Sequence, residues 1–120
     1  PHPFETLTPD FIMDAIESQR YWCDGRILAL NSYENRVYQV GIEEQPPLIA
    51  KFYRPGRWSN EQILEEHAFS YELAAQELPV VAPMKNADGD SLHQYRDFRF
   101  ALFERQGGHP PDEGRPARLS

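Results

Sequence analysis

The run Leu48-Ile49-Ala50-Lys51-Phe52-Tyr53-Arg54 sets one ammonium in the middle of an apolar, β-prone stretch. A charge buried without a partner is costly. Such a strand therefore either runs along a sheet edge with its lysine in water or faces a carboxylate from another element. A candidate element follows at once. Arg54-Pro55-Gly56-Arg57-Trp58 breaks the strand, and Ser59 with Gln62 forms a capping box that opens a helix of about eighteen residues before the stop at Pro79. On the helical wheel Glu61, Glu65, Glu72 and Gln76 share a solvated sector, whereas Ile63, Leu64, Tyr71, Ala74 and Ala75 lie opposite. Glu66 is rotated out of the acidic sector to the margin of the apolar face, beside Leu73. Of the two adjacent carboxylates, Glu66 is expected to face what the helix packs on and Glu65 to face water.

The rest of the chain supplies a sheet for that helix. Thr8-Pro9-Asp10 reads as a helix start, with a capping hydroxyl, a proline whose φ is already fixed and an acid at the positive end of the dipole. Phe11, Ile12, Ala15 and Ile16 then repeat at helical spacing, so the helix is expected over 9–20. Asp24-Gly25 ends that region. A strand over 26–30 and a second over 36–42 follow, the latter rich in β-branched and aromatic residues. Glu43-Glu44-Gln45-Pro46-Pro47 reads as the turn into the Lys51 strand, because two prolines lack ladder donors. After the second helix, Val80-Val81-Ala82 reads as a short strand and Asp88-Gly89 as a hairpin turn. Residues 91–95 are expected to pair with 98–103. The fold class is α+β: an antiparallel sheet of five to six strands with two helices.

Composition narrows the function classes. The 120 residues suit one small domain, and 40% hydrophobic content with seven Phe, six Tyr and two Trp argues for a packed chain. A net charge of −7 opposes nucleic-acid and anionic-membrane surfaces. With Cys23 alone there is no internal disulfide, and no apolar run reaches the ~18 residues of a membrane span, which fits a cytoplasmic protein. The four histidines lack metal-ligand spacing and Cys23 has no partner for nucleophilic catalysis, so these residues are assigned to structure or solvent. The start at Pro1-His2-Pro3, without methionine, is expected of a trimmed piece.

Four segments, in order and spacing, carry a resemblance: 30–38 (Leu30-Asn31-Ser32-Tyr33-Glu34-Asn35-Arg36-Val37-Tyr38), 51–55 (Lys51-Phe52-Tyr53-Arg54-Pro55), 62–67 (Gln62-Ile63-Leu64-Glu65-Glu66-His67) and 79–83 (Pro79-Val80-Val81-Ala82-Pro83). Over about residues 4–108 the chain resembles the amino-terminal lobe of the bacterial stress response kinase A family, a branch of the protein-kinase-like fold shared with the aminoglycoside phosphotransferases. The resemblance implies that Lys51 binds the α- and β-phosphates of ATP and that Glu66 orients it. It implies a phosphate-side turn at Ser32, Tyr33 and Asn35, a ceiling for adenine from Val37 and Ala50, a gatekeeper at Phe103, and hinge contacts at Glu104 and Gln106. None of the three glycines of G-x-G-x-x-G survives in Leu30-x-Ser32-x-x-Asn35-x-Val37. Asn35 tolerates left-handed backbone and Ser32 offers a hydroxyl, so the segment reads either as a phosphate cradle or as an ordinary polar hairpin turn.

The catalytic half of such an enzyme is not in these residues. No H-x-D-x-x-x-x-N or D-F-G occurs, and His93-Gln94-Tyr95-Arg96-Asp97 has the wrong order and precedes the hinge. Mg²⁺ ligands are therefore expected in a second lobe. Residues 109–120, with three prolines and no helical period, are expected to form a flexible tail after a lobe at 1–108. Two function classes stand. One is the nucleotide lobe of a phosphotransferase acting on protein hydroxyls, with small-molecule kinases of the same branch as the nearby alternative. The other is a binding module without catalysis. The exposed inter-lobe face is expected to drive self-association.

Overall fold

The computed structural model of the chain describes residues 3–30 and 32–105, so the expected tail at 109–120 and the hinge residue Gln106 lie outside the described residues. Helix α1 spans Pro9–Glu17, and Thr8 Oγ1 caps it by accepting from Phe11 N at 3.2 Å. It ends earlier than its apolar repeat suggests, because the chain turns at Ser18–Arg20 and Arg20 adopts φ 72°. Strands β1 (Cys23–Leu30), β2 (Arg36–Ile42) and β3 (Gln45–Phe52) follow, then α2 (Asn60–Ala75), β4 (His93–Tyr95) and β5 (Phe98–Glu104). All pairings are antiparallel, in the order β1-β2-β3-β5-β4, which makes β3 the central strand.

Four boundaries differ from the expectations above, each for a local reason. Asp24-Gly25 does not precede β1 but forms an irregularity inside it, where the register shifts between Cys23 and Ile27. Gly25 takes φ 96° there, and a Cβ on Gly41 opposite would stand 2.2 Å from the Asp24 carboxylate, so a larger residue would have to displace that side chain. Pro46 and Pro47 lie within β3, and the turn shrinks to Glu43-Glu44. Pairing of β3 with β5 begins only at Leu48, and the register to β2 shifts just there, so the ladder asks little of the missing N–H donors. Val80-Val81-Ala82 is not a strand. Val80 N bonds back to Leu78 O at 2.8 Å, and the segment reaches the sheet only where Met84 N meets Leu102 O at 2.7 Å. The turn at Asp88-Gly89 forms around the Asn86 carboxamide, but no strand precedes it.

The two faces of the sheet are unlike. Leu48, Ala50 and Phe52 of β3, with Val40, Ile42, Phe98, Phe100 and Leu102, pack against Ile12, Ala15 and Ile16 of α1 to form the main core. On the other face Tyr53 and Ala101 meet Ile63 of α2 in a second, smaller cluster. Because strand side chains alternate, Lys51 belongs to this second face.

Candidate functional site

Helix α2 opens with the reciprocal capping box: Gln62 N donates to Ser59 Oγ at 3.1 Å and Ser59 N donates to Gln62 Oε1 at 2.9 Å. Arg99 of β5 fastens the same end, donating from one guanidinium nitrogen to Asn60 Oδ1 at 2.8 Å and from the other to Trp58 O at 2.5 Å. Two turns on, Glu66 Oε2 stands 3.7 Å from Lys51 Nζ, while Glu65 is exposed. With Glu66's side chain 57% exposed and Lys51's 24%, the pair is worth only about 0–1 kcal/mol to the fold. An ammonium held on the central strand for so little stability is available to an anion. It also lies 5.1 Å from the centre of the Tyr53 ring.

Around Lys51 the register sets an apolar floor. Val37 and Ala101 flank it, and one step along the same face Ile49 lies between Gln39 and Phe103, with Leu28 beyond Gln39. Val37, Ile49 and Phe103 are half-buried and Leu28 is exposed. Ala50 is placed differently from the adenine ceiling assigned to it. It is fully buried on the opposite face, in the core under α1, so a ligand resting on the Lys51 face cannot touch it. Ile49 occupies the position in question. Glu104 pairs with Leu48 at the end of β5, still within the strand rather than beyond it.

The turn between β1 and β2 is a tied polar loop. The Ser32 hydroxyl donates to the Asn35 carbonyl, Asn35 Oδ1 accepts from Arg54 N at 3.1 Å, and Glu34 pairs with Arg57 at 3.1 Å. Asn35 thus contributes an acceptor and not a left-handed backbone, for it is absent from the positive-φ residues. Tyr33 projects into solvent at 94% exposure. A cavity of about 190 Å³, lined by Asn35, Tyr53, Trp58, Gln62, Ile63 and Glu66, lies beside this loop. A larger one of about 540 Å³, at the end of α1 next to Met84–Asp88, shares no lining residue with it.

Sequence reasoning missed the polar contact at the centre of α2. His67 is buried, with Nε2 2.8 Å from the Tyr53 hydroxyl and Nδ1 2.8 Å from Ser91 Oγ. The available signal was a histidine at helical spacing from Ile63. Burial pushes the Tyr53 hydroxyl well above its usual range, with Glu66 adding to the rise. Burial likewise pushes the Cys23 thiol up to about 11, reinforced by Glu17, Asp24 and Asp14, so no thiolate nucleophile arises there. Among the described residues no group of three or more His, Cys, Asp or Glu is arranged to hold a metal, and no helix is long and apolar enough to cross a membrane.

The buried imidazoles make stability depend on pH. Burial lowers the pKa of His67 and of His93 below 6.5; Glu66 opposes this at His67 while Lys51 and His93 assist, and Asp90 opposes it at His93. Between the folded and unfolded pKa values the unfolded chain holds more protons, so acidification favours unfolding. The urea midpoint is expected to fall from about pH 7.5 to about pH 5.5, and the fall to shrink in His67→Gln and His93→Gln. A level midpoint across that range would contradict the buried neutral state.

A five-stranded antiparallel sheet whose central strand carries a lysine facing a glutamate of the next helix is the arrangement of the protein-kinase-like amino-terminal lobe. The chain belongs to the phosphotransferase enzyme family, whose sequence pattern matches residues 26–120. It is 49% identical over 105 residues to stress response kinase A of Shigella flexneri and 47% identical over 105 residues to that of Escherichia coli K12. It is 46% identical, again over 105 residues, to a Salmonella typhimurium protein named serine/threonine protein kinase RdoA. Each match covers 88% of this chain, and the chain spans 32% of the length of each of these relatives.

Proposed function

We propose that this chain is the ATP-binding lobe of a cytoplasmic serine/threonine protein kinase, with protein hydroxyls as the acceptors. The observation that carries the reading is Lys51 at 3.7 Å from Glu66, on the rim of the half-buried apolar face made by Val37, Ile49 and Phe103. An adenine would rest on that face, within reach of main-chain groups near Glu104 at the end of β5. The phosphates would meet Lys51 and the Ser32–Asn35 turn. The name of the Salmonella typhimurium relative, a serine/threonine protein kinase, supports a protein rather than a small molecule as acceptor. For Mg²⁺ the described residues offer no ligand set.

The chain is expected to bind ATP weakly and to transfer no phosphate by itself, because its 120 residues hold no catalytic-loop aspartate, a group worth about 10²–10⁴-fold. Titration with ATP followed by intrinsic fluorescence, beside a labelled-ATP transfer assay, tests both halves. Turnover abolished by Lys51→Ala would overturn the second half, and ATP affinity untouched by Lys51→Ala would overturn the site. Leu64, Phe69, Val80 and Val81 are exposed, which supports self-association of the same preparation at high concentration; a strict monomer by light scattering would count against it.

A further inference from the structure

Helix α2 is held on the sheet by little apolar contact. Of its sixteen residues only Ile63 and His67 are buried; Leu64, which its sequence offers as a packing residue, is exposed, and so is Phe69. Apolar burial is non-directional, and a single isoleucine allows a helix to slide or roll. Apart from the Lys51–Glu66 pair itself, the polar attachments among the described residues are of three kinds. Arg99 holds the first turn, and the Tyr71 hydroxyl donates to the Pro83 carbonyl near the other end. Only the Tyr53–His67–Ser91 chain lies beside Glu66.

We propose that Tyr53, His67 and Ser91 form a buried clamp that fixes α2 in the position that brings Glu66 to Lys51. The connectivity supports this. His67 follows Glu66 directly, and Tyr53 lies two residues beyond Lys51 on the same face, so both partners of the ion pair have a neighbour in the clamp. The two ring nitrogens, at 2.8 Å each, reach one hydroxyl at the end of the lysine strand and another ahead of β4, and thereby hold the helix from two directions. Buried hydrogen bonds demand their geometry, since a displaced helix would leave an imidazole and two hydroxyls unsatisfied. The exposed pair Lys51–Glu66 cannot enforce the position itself. These three are positioning residues and touch no reacting atom. The inference rests on reading Lys51 and Glu66 as the pair that grips nucleotide.

Two measurements on the chain separate the clamp from that reading. Tyr53→Phe and Ser91→Ala each remove one hydroxyl and keep the packing. Amide hydrogen exchange in residues 63–70 is expected to quicken about tenfold in either variant, with β2 and β3 unchanged. Unchanged exchange in α2 overturns the clamp whatever happens to ATP. ATP affinity is expected to drop at least about fivefold in Tyr53→Phe, and not to drop further when the same change is made in Lys51→Ala. An equal drop in both backgrounds would mean that the clamp does not act through the ion pair. If Lys51→Ala alone leaves ATP affinity intact, the reading of the site fails, and the exchange data still decide the clamp. His67→Gln, which keeps a donor and an acceptor, is expected to be milder than His67→Ala in both measurements, and equal effects would overturn the hydrogen-bonded role.

Discussion

Lys51→Ala, in a protein that carries this lobe together with a catalytic aspartate, is expected to lower phosphotransfer by about 10²–10³-fold while the lobe stays folded. The two effects differ because the ammonium does different amounts in the two contexts. Against Glu66, at 3.7 Å and half in water, it contributes at most ~1 kcal/mol to folding. Against phosphate oxygens, drawn from water and bearing the charge of the transition state, a fixed cation is worth several times more. The substitution opens no sealed cavity, since the lysine lies on a partly exposed face. Glu66→Ala is expected to cost less than Lys51→Ala, because the ammonium remains and only loses its orientation. Glu65→Ala is expected to cost nothing. Turnover with saturating ATP, beside thermal midpoints of all three variants, gives the comparison. Normal turnover in Lys51→Ala, or a loss in Glu65→Ala equal to that in Glu66→Ala, would remove this lysine–glutamate pair from the mechanism.

That the acidic pair resolves in favour of Glu66 was legible from a helical wheel, because the choice depends only on the period of one helix. The capping box, the element order and the location of the lysine strand were legible for the same reason: each is a local pattern. The parity of the face proposed for adenine is equally local. Ile49 and not Ala50 lies two residues from Lys51, and residues on one strand face share parity. Other features depended on neighbours that no local pattern names. Pro46 and Pro47 sit in a strand because that part of the strand is not yet paired with β5. Leu64 fails to pack because the helix rolls toward Ile63 and His67, and His67 finds partners 14 and 24 positions away. The tie from Asn35 to Arg54 spans 19 positions and was invisible for that reason.

Phe52→Ala is expected to destabilise the chain by about 3–5 kcal/mol, enough to populate unfolded molecules at room temperature in a domain whose total is of order 5–15 kcal/mol. Phe52 is fully buried, with its ring centre 5.1 Å from that of Phe100, 6.2 Å from that of Phe98 and 6.2 Å from that of Tyr38. It thus joins β2, β3 and β5 on the sheet face opposite Lys51. Removing the ring leaves a cavity that its aromatic neighbours can fill only by abandoning their own contacts. Phe69→Ala deletes the same ring from the exposed side of α2 and is expected to change stability by no more than about 0.5 kcal/mol. Urea unfolding followed by far-UV circular dichroism measures both. Because Lys51 precedes Phe52 on the opposite face, Phe52→Ala is also expected to weaken ATP binding, through loss of the folded population. Ligand at saturating concentration should then restore part of the lost midpoint by mass action. Equal destabilisation by Phe52→Ala and Phe69→Ala would mean that the main core does not lie between the sheet and α1.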